Sequence, residues 1–534
     1  MQIYDSTMLH IGTTPQYFFD NLVIEQCQDI TRRFHRPSKE PGPVLQKDKP
    51  WEIIPYLTVN GWSIIKEDDG LLRCFYDDWP CDTDEVVRQK TIYFCRGFTS
   101  LATSQDGVHW DKSPLGLIRR DGVDTNIVLG MPLYSKLDST HVFKDTLDPD
   151  PDRRYKLFCT HYITDTPDRV SELTLQEKMN ATVRQHTGER IEIDILCSAD
   201  GLTWKPLGEL PRFGRDGNRL GDASNIFIDM DACEYRLLTR AMGMVGVEPD
   251  RRRPLTDSFL APVYPHDVGR VNKRRIFQAV SADIVHWSHP RLIFGPDPES
   301  DNLDDSFYGA TQIKIGDVYV GFVNVFHEVD NTVDVMLTYS RDGWNWTPVD
   351  NRRPWLTTGA AGWDRTMVNV GSPPIAIGDE LFVFYGGAAN HHDWWITGKL
   401  ERLDPAVVPE AYDPKLVNYG LGLAKLRKDG FVSVDAGPAR EGVLITRGLW
   451  VEGNTLIINA DCRENGSIAC EITDSQETVL GRCSRQACDV FRGSSTAHRI
   501  TWNGSPEIPV RGQLRVRFFL RNASLYSFGF SESE

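Results

Sequence analysis

Ser104-Gln-Asp106-Gly107-Val-His-Trp110 returns along the chain as Ser198-Ala-Asp200-Gly201-Leu-Thr-Trp204, Ser281-Ala-Asp283-Ile-Val-His-Trp287 and Ser340-Arg-Asp342-Gly343-Trp-Asn-Trp346. A degenerate further copy is Lys428-Asp429-Gly430-Phe431, with Phe in place of Trp. A motif that recurs in this way marks an internal repeat, and the repeat decides the architecture. Its physics is that of a hairpin turn. Asp caps its own backbone, Gly takes the positive φ, and the aromatic ring pins the outgoing strand.

Alternating runs lead into the turns, among them Ile92-Tyr-Phe-Cys-Arg-Gly-Phe98, Ile191-Glu-Ile-Asp-Ile-Leu196 and Val333-Asp-Val-Met-Leu-Thr338. They predict strands. A second repeat, Ile313-Lys-Ile-Gly316-Asp317-Val-Tyr-Val320 and Ile375-Ala-Ile-Gly378-Asp379-Glu-Leu-Phe382, adds a strand, a Gly-Asp turn and a strand upstream. Together the repeats predict four antiparallel strands per unit. The units, placed near 51–115, 116–215, 216–297, 298–355 and 356–437, predict an all-β fold whose main domain, 51–437, is a five-bladed β-propeller. Helical periodicity is weak apart from a segment around 171–179. From 440 to 534 the turn motif stops, and short alternating strands such as Leu514-Arg-Val-Arg-Phe-Phe-Leu520 predict a C-terminal β-sandwich. Residues 1–50, with Pro37, Pro41, Pro43 and Pro50, read as an arm that packs on the propeller.

Of the 534 residues 40% are apolar and 25% charged, a globular composition, and no apolar run is long enough to cross a bilayer. Met1-Gln-Ile-Tyr-Asp5 carries no basic region followed by an apolar one, so a cytoplasmic protein is expected. The net charge of -16 and the lack of a basic stripe argue against nucleic acid and favour neutral substrates. The 11 cysteines show no CxxC pair and no His partner set, which predicts reduced, mostly buried thiols and no metal or other cofactor. Fourteen Trp supply flat faces of the kind on which sugar rings stack.

In a propeller the innermost strands line an axial funnel, so acids at their heads are the first candidates for chemistry. Three units open on an acid ahead of an apolar run: Gly122-Val-Asp124-Thr-Asn126-Ile127, Gly221-Asp222-Ala-Ser-Asn225-Ile226 and Asp304-Asp305-Ser-Phe-Tyr308-Gly309. Gathered acids shift one another's pKa, and hydrolysis of a sugar acetal uses a carboxyl pair about 5 Å apart for retention or about 6.5–9.5 Å for inversion. The bland alternative is an Asp that only caps a turn. Glu52, in Pro50-Trp51-Glu52, and Glu328, in His327-Glu328, are reserves. Asn390-His391-His392-Asp393-Trp394-Trp395 combines donors with rings and reads either as a sugar subsite or as a seal between blades. Arg365 and Arg120 are candidates to hold hydroxyls or an anionic group. Neither Gly-x-Ser-x-Gly, HExxH nor a phosphate loop occurs, which argues against acyl transfer, zinc hydrolysis and nucleotide chemistry.

The chain resembles the five-bladed propeller glycosidases, which include invertase- and inulinase-like and arabinanase- and xylosidase-like enzymes, and most of all a bacterial family 32-like group. The resemblance is carried by Phe18-Phe-Asp20-Asn-Leu-Val-Ile24-Glu25, Pro43-Val-Leu45 through Lys49-Pro-Trp51-Glu52, the repeated turns, Ile377-Gly378-Asp379-Glu380-Leu381 and Leu525-Tyr-Ser-Phe528-Gly-Phe530. It implies a glycoside hydrolase without cofactor, acting on an oligo- or polysaccharide, furanosides such as fructosides or arabinosides foremost. It further implies Asp124 as nucleophile or base, Asp222 as stabiliser and Asp305 as general acid. Asn126, Asn225, Tyr308, His327, Arg365, His391, His392 and Trp394 would then bind substrate. The sequence departs from the invertase-like members in lacking Trp-x-Asn-Asp-Pro-Asn-Gly, Arg-Asp-Pro and Glu-Cys. Three alternatives stand beside this expectation: a phosphorylase resembling the mannoside phosphorylases, a sialidase, and a non-catalytic carbohydrate-binding propeller. Against the sialidase, the turn is one residue shorter than that family's Asp box and no arginine triad can be assigned.

Overall fold

The computed structural model describes residues 8–59, 61–79, 84, 87, 97–130, 135–163, 190–207, 212–213, 223–240, 274–297, 299–302, 304–360, 362–392, 394–399 and 402–532. The segment at 171–179 lies outside them, as does the predicted strand at 92–96.

Each turn motif belongs to one antiparallel meander. The first runs Trp62–Lys66, Leu72–Asp78, Phe98–Ser104 and Ile127–Gly130. The second runs Ser135–Lys144, Tyr155–Ile163, Arg190–Ser198 and Lys205–Pro206. Ser224–Asp229, Glu234–Arg240 and Ile276–Ser281 make the third, edged by His286–Trp287 and Arg291–Phe294. The fourth is Asp305–Ile315, Val318–His327 and Thr332–Ser340, edged by Thr347–Pro348 and Pro354–Leu356. The fifth is Met367–Asn369 with Ile375–Ile377, then Glu380–Ala388 and Tyr419–Arg427. Its outer edge comes from the other end of the chain, where Ser38–Lys39 and Leu45–Gln46 pair with Tyr419–Arg427.

The turns show why the motif needs its residues. In the first, Ser104 Oγ accepts from Gly107 N (2.9 Å) while Asp106 Oδ1 accepts from the N–H groups of Val108 and His109 (2.8 Å each). The same bonds recur at Ser198/Asp200 and Ser340/Asp342. Gly107, Gly201 and Gly343 hold φ of +76°, +76° and +72°, and Ile284 holds +66° at the equivalent place in the third turn. In the degenerate copy the left-handed residue is Asp429 (φ 56°) rather than Gly430, so the turn is shifted by one position.

Every turn docks on the meander before it. A Cβ on Gly107 would meet Phe384 and Phe382 of the fifth, and one on Gly201 would meet Arg73 and Phe75 of the first. Ile284 packs with Phe143, Phe158 and Ile195 of the second. Gly343 lies against Arg236 of the third, and Phe431 against Phe322 and Trp355 of the fourth. The meanders therefore close in a ring. Their first strands meet inside it: His141 Nε2 lies 3.1 Å from Ile226 O, Ser63 Oγ accepts from Val142 N, and Ser372 Oγ accepts from Ile64 N. A cavity of about 270 Å³ lined by Ile64, His141, Phe143, Ile226 and Ser372 runs between these strands, as expected of a propeller axis.

Residues 9–34 depart from the expected arm. Leu9–Gly12 pairs with Leu449–Val451, Gln16–Tyr17 with Gly512–Ser531, Ile24–Gln28 with Gly442–Thr446, and Thr31–Phe34 with Val432–Ala436. They complete the C-terminal β unit, whose spine is Thr455–Thr473 paired with Gly512–Ser531. Leu514, Val516, Phe518 and Leu520 are all fully buried on one face of that strand, as the alternation predicts. One apolar cluster joins them to Val318, Val320 and Phe322 of the fourth meander, so the C-terminal unit and the ring share a core.

Candidate functional site

The repeated turns and the Gly-Asp turns sit at one end of the sheets. The connections from second to third strands leave from the other end, and four of them are long: 79–97, 164–189, 241–275 and 389–418. Loop-bearing rims of this kind are where propellers and other β scaffolds place their sites. The candidates divide sharply along this rim.

At the rim of the first meander the acids are locked. Glu52 is buried and accepts from Tyr76 OH (2.7 Å), Lys112 Nζ (2.7 Å) and the backbone N–H groups of Asp48 and Lys49. Asn126 is buried as well, accepting from Trp51 Nε1 (2.8 Å) and donating to Tyr76 OH and Leu101 O. Arg120 is tied to Asp78 (2.9 Å) and to Trp51 O. Burial lifts the Asp78 carboxyl above its usual range against the pull of Ile53 N–H and Arg120. Each polar group here is met by another protein group, so the network closes the ring between 48–54 and the first meander. It leaves Glu52 and Asn126 structural.

Asp124 does not head an innermost strand. It lies half exposed on the hairpin Arg119–Arg120/Val123–Asp124, ion-paired with Arg119 at 2.8 Å. The strand that follows it, Ile127–Gly130, is the outer edge of the first meander, and the second meander begins at Ser135. The apolar run after Asp124 resembles an inner strand because its residues are buried against a neighbour, which an edge strand in a ring also achieves. Asp222 lies outside the described residues.

At the rim of the fourth meander the sequence candidates converge. Asp305 heads Asp305–Ile315, and its Oδ1 meets His327 Nδ1 at 2.7 Å, while His327 Nε2 lies 3.3 Å from Asp334. Burial pushes the Asp305 carboxyl up, but the hydrogen bond and charge of His327 and the donors of Asn302 outweigh it and hold it below the usual range. Burial likewise pulls His327 down, and Asp305 with Asp334 outweighs that, raising its pKa to about 10. Both shifts run in the direction that favours an ionised Asp305 beside a charged His327. That direction disfavours the general-acid role expected of Asp305, which needs a carboxyl that holds its proton.

Glu328, one residue on, turns to the opposite side of the strand. It is buried, and Ser306 donates to its Oε1 at 2.5 Å. Ser306 Oγ also lies 3.4 Å from the backbone N of Arg274. Tyr308 carries Arg240 and Arg274 over its ring, with guanidinium carbons 4.2 and 4.7 Å from the centroid, and meets His392 edge-on at 4.6 Å. The third, fourth and fifth meanders all contribute to this locus.

Asn225 is buried on Ser224–Asp229, facing Leu238 in the ladder. His391 is held by Glu410 at 2.6 Å and packs on Trp394, which is 4% exposed and clustered with Val408 and Ala411. The Trp394 ring is therefore core, not a stacking face, and Trp395 is buried beside Tyr419. Arg365 is exposed. Sequence reasoning missed Ser306, Asp334, Arg240 and Arg274. Arg240 closes one strand and Arg274 precedes the next, so a basic residue at each border of a strand-to-strand connection was the only available signal.

No family model and no curated protein matches the sequence. The solved structures it is similar to include one described as a glycoside hydrolase, at 15% identity over 74% of this chain and 93% of that one, TM-score 0.43. Another is a β-1,2-mannobiose phosphorylase from Listeria innocua, at 11% identity over 75% and 97%, TM-score 0.41. A third is a family 32 β-fructofuranosidase from Bombyx mori, at 10% identity over 94% and 95%, TM-score 0.37.

Proposed function

We propose that the protein is a glycoside hydrolase whose active site lies at the loop-bearing rim of the third to fifth meanders. The observation that carries this reading is a buried carboxyl, Glu328, oriented by Ser306, whose hydroxyl also meets the backbone N–H of Arg274, one of two arginines over the Tyr308 ring. Glu328 takes the general-acid role, which asks for a carboxyl shielded from water and fixed in direction. Asp305 acts through electrostatics, holding His327 charged beside it. Asp222, immediately ahead of Ala223 in the sequence, keeps the role of a second carboxylate. A furanoside such as a fructoside or arabinoside is the substrate class that the family resemblance favours.

Phosphorolysis is the second reading, favoured by the buried Arg240 and Arg274 at the same mouth. A screen of aryl glycosides and plant or algal polysaccharides, with and without inorganic phosphate, tests both. Sugar release in phosphate-free buffer supports hydrolysis. Release only with phosphate decides for the phosphorylase, and saccharide binding without release in either buffer leaves a carbohydrate-binding propeller.

A further inference from the structure

We infer that the outward sheet face around Trp450, on the C-terminal unit, is a binding platform for a neutral saccharide chain, with the indole stacking on one sugar ring. The inference rests on the reading of the protein as a glycoside-processing enzyme and adds a second contact with the saccharide, on the C-terminal unit and not on the ring of meanders.

All 14 Trp lie within the described residues, and Trp450 alone is exposed, at 41%. Strand alternation puts it there. Its neighbours Leu449 and Val451 are buried, as are Ile11 on Leu9–Gly12 and Leu514 on Gly512–Ser531, so the alternate residues of these strands face outward. The register then sets His10, Trp450 and Gln513 side by side across three strands. The stacking face that Trp394 does not offer is offered here.

The ring is braced on one side and left bare on the other. His10 stacks on it with centroids 5.7 Å apart and planes 23° from parallel. On the opposite neighbouring strand Gly512 has no side chain, and a Cβ there would lie 3.8–3.9 Å from three atoms of the indole's six-membered ring. Glycine thus leaves uncovered a part of the ring that any other residue would cover. A fixed, flat aromatic face is what the apolar C–H face of a sugar packs against.

The surroundings select the occupant. Arg515, the next outward residue after Gln513, pairs with Glu25 at 2.5 Å, and Arg511 pairs with Glu532 at 3.9 Å. Amide, guanidinium and carboxylate supply donors and acceptors for hydroxyls, and the paired charges cancel locally in a chain of net -16, which suits a neutral ligand rich in hydroxyls. The exposed apolar surface is one indole with Val510, two residues before Gly512, far less than the roughly 800 Å² per partner of a stable protein interface.

Affinity electrophoresis of the full chain through native gels containing inulin, arabinan or hydroxyethylcellulose tests the inference. The wild type is expected to be retarded in at least one gel, and Trp450→Ala to raise the dissociation constant there about tenfold or more. Trp450→Phe, which keeps a smaller ring, should fall between them. Because the indole is exposed, Trp450→Ala should keep the wild-type melting temperature and the wild-type turnover of an aryl glycoside, and Glu328→Gln should be retarded as the wild type is. No retardation of the wild type in any of the three gels overturns the inference, as does equal retardation of Trp450→Ala. Self-association in sedimentation velocity that Trp450→Ala abolishes, without retardation in any gel, assigns the face to a second copy and overturns it as well. Retardation lost in Trp450→Ala with no turnover on any glycoside keeps the platform and removes the hydrolase, whereas turnover without retardation does the converse.

Discussion

The rims of the first and fourth meanders present the same kind of residue at the same kind of place, and the structure treats them in opposite ways. At the first, Glu52 is enclosed by Lys112, Tyr76 and two backbone N–H groups, and Asn126 fills the space beside it. At the fourth, Ser306 joins Glu328 to the backbone of Arg274, and Tyr308, two residues on from Ser306, meets Arg240, Arg274 and His392. A buried acid surrounded by its own chain's donors is a cross-link. The fourth rim, where residues of three meanders come together, is the candidate for chemistry.

The first way to break this contrast is to unlock the first rim. Glu52→Gln leaves Lys112, 2% exposed at its side chain, without its buried counter-charge, and should cost about 3–5 kcal/mol of stability. Denaturant unfolding measures it, and the folded fraction should keep its turnover. A neutral effect on stability would mean that Glu52 is not a cross-link.

A smaller loss is expected where the ring closes. Gly107→Ala forces a Cβ at φ +76° to within 3.0 Å of Phe384, and should cost about 1–3 kcal/mol in the same unfolding assay. The affected contact is that between the first and fifth meanders, far from the rim, so turnover should again persist.

The Asp305–His327–Asp334 chain gives a pH signature. His327 is raised from about 6.5 in the unfolded chain to about 10 in the folded one. A raised histidine contributes stability that is complete below the unfolded value and is lost as pH climbs toward 10. Melting temperatures of the wild type should therefore fall across that window relative to those of His327→Gln, which lacks the contribution. Parallel curves for the two proteins would show that His327 is not held charged.

The smallest effect belongs to Asp124→Asn. Its half-exposed pair with Arg119 should be worth under about 0.5 kcal/mol, with turnover unchanged. A large loss of turnover would return Asp124 to the catalytic set.

The fold was legible because its signal is local. Ser104, Asp106 and Gly107 make their turn within a few residues, and the triplet recurs at the ends of two more third strands, with Ile284 for Gly in another and the Ser missing from the degenerate copy, so periodicity exposed the ring. The alternation of Leu514, Val516, Phe518 and Leu520 gave the buried face of the C-terminal unit for the same reason. The N-terminal strands were not legible, because Leu9–Gly12 and Ser38–Lys39 find their partners some four hundred residues away. The site was legible in part. Asp305, His327, Glu328 and Tyr308 stand close together in sequence and stay together in space. Arg240 and Arg274 reach them only through tertiary closure, and the apparent subsite at Trp394 turned inward, because an aromatic ring in a loop buries as readily as it stacks.

The most direct test is turnover by Glu328→Gln, a nearly isosteric change that still receives the Ser306 hydroxyl, measured against the wild type on whichever glycoside the screen identifies. A fall of roughly 10²–10⁴-fold with an unchanged melting temperature is the expected result. Wild-type turnover by that variant would contradict the placing of the chemistry at the fourth rim.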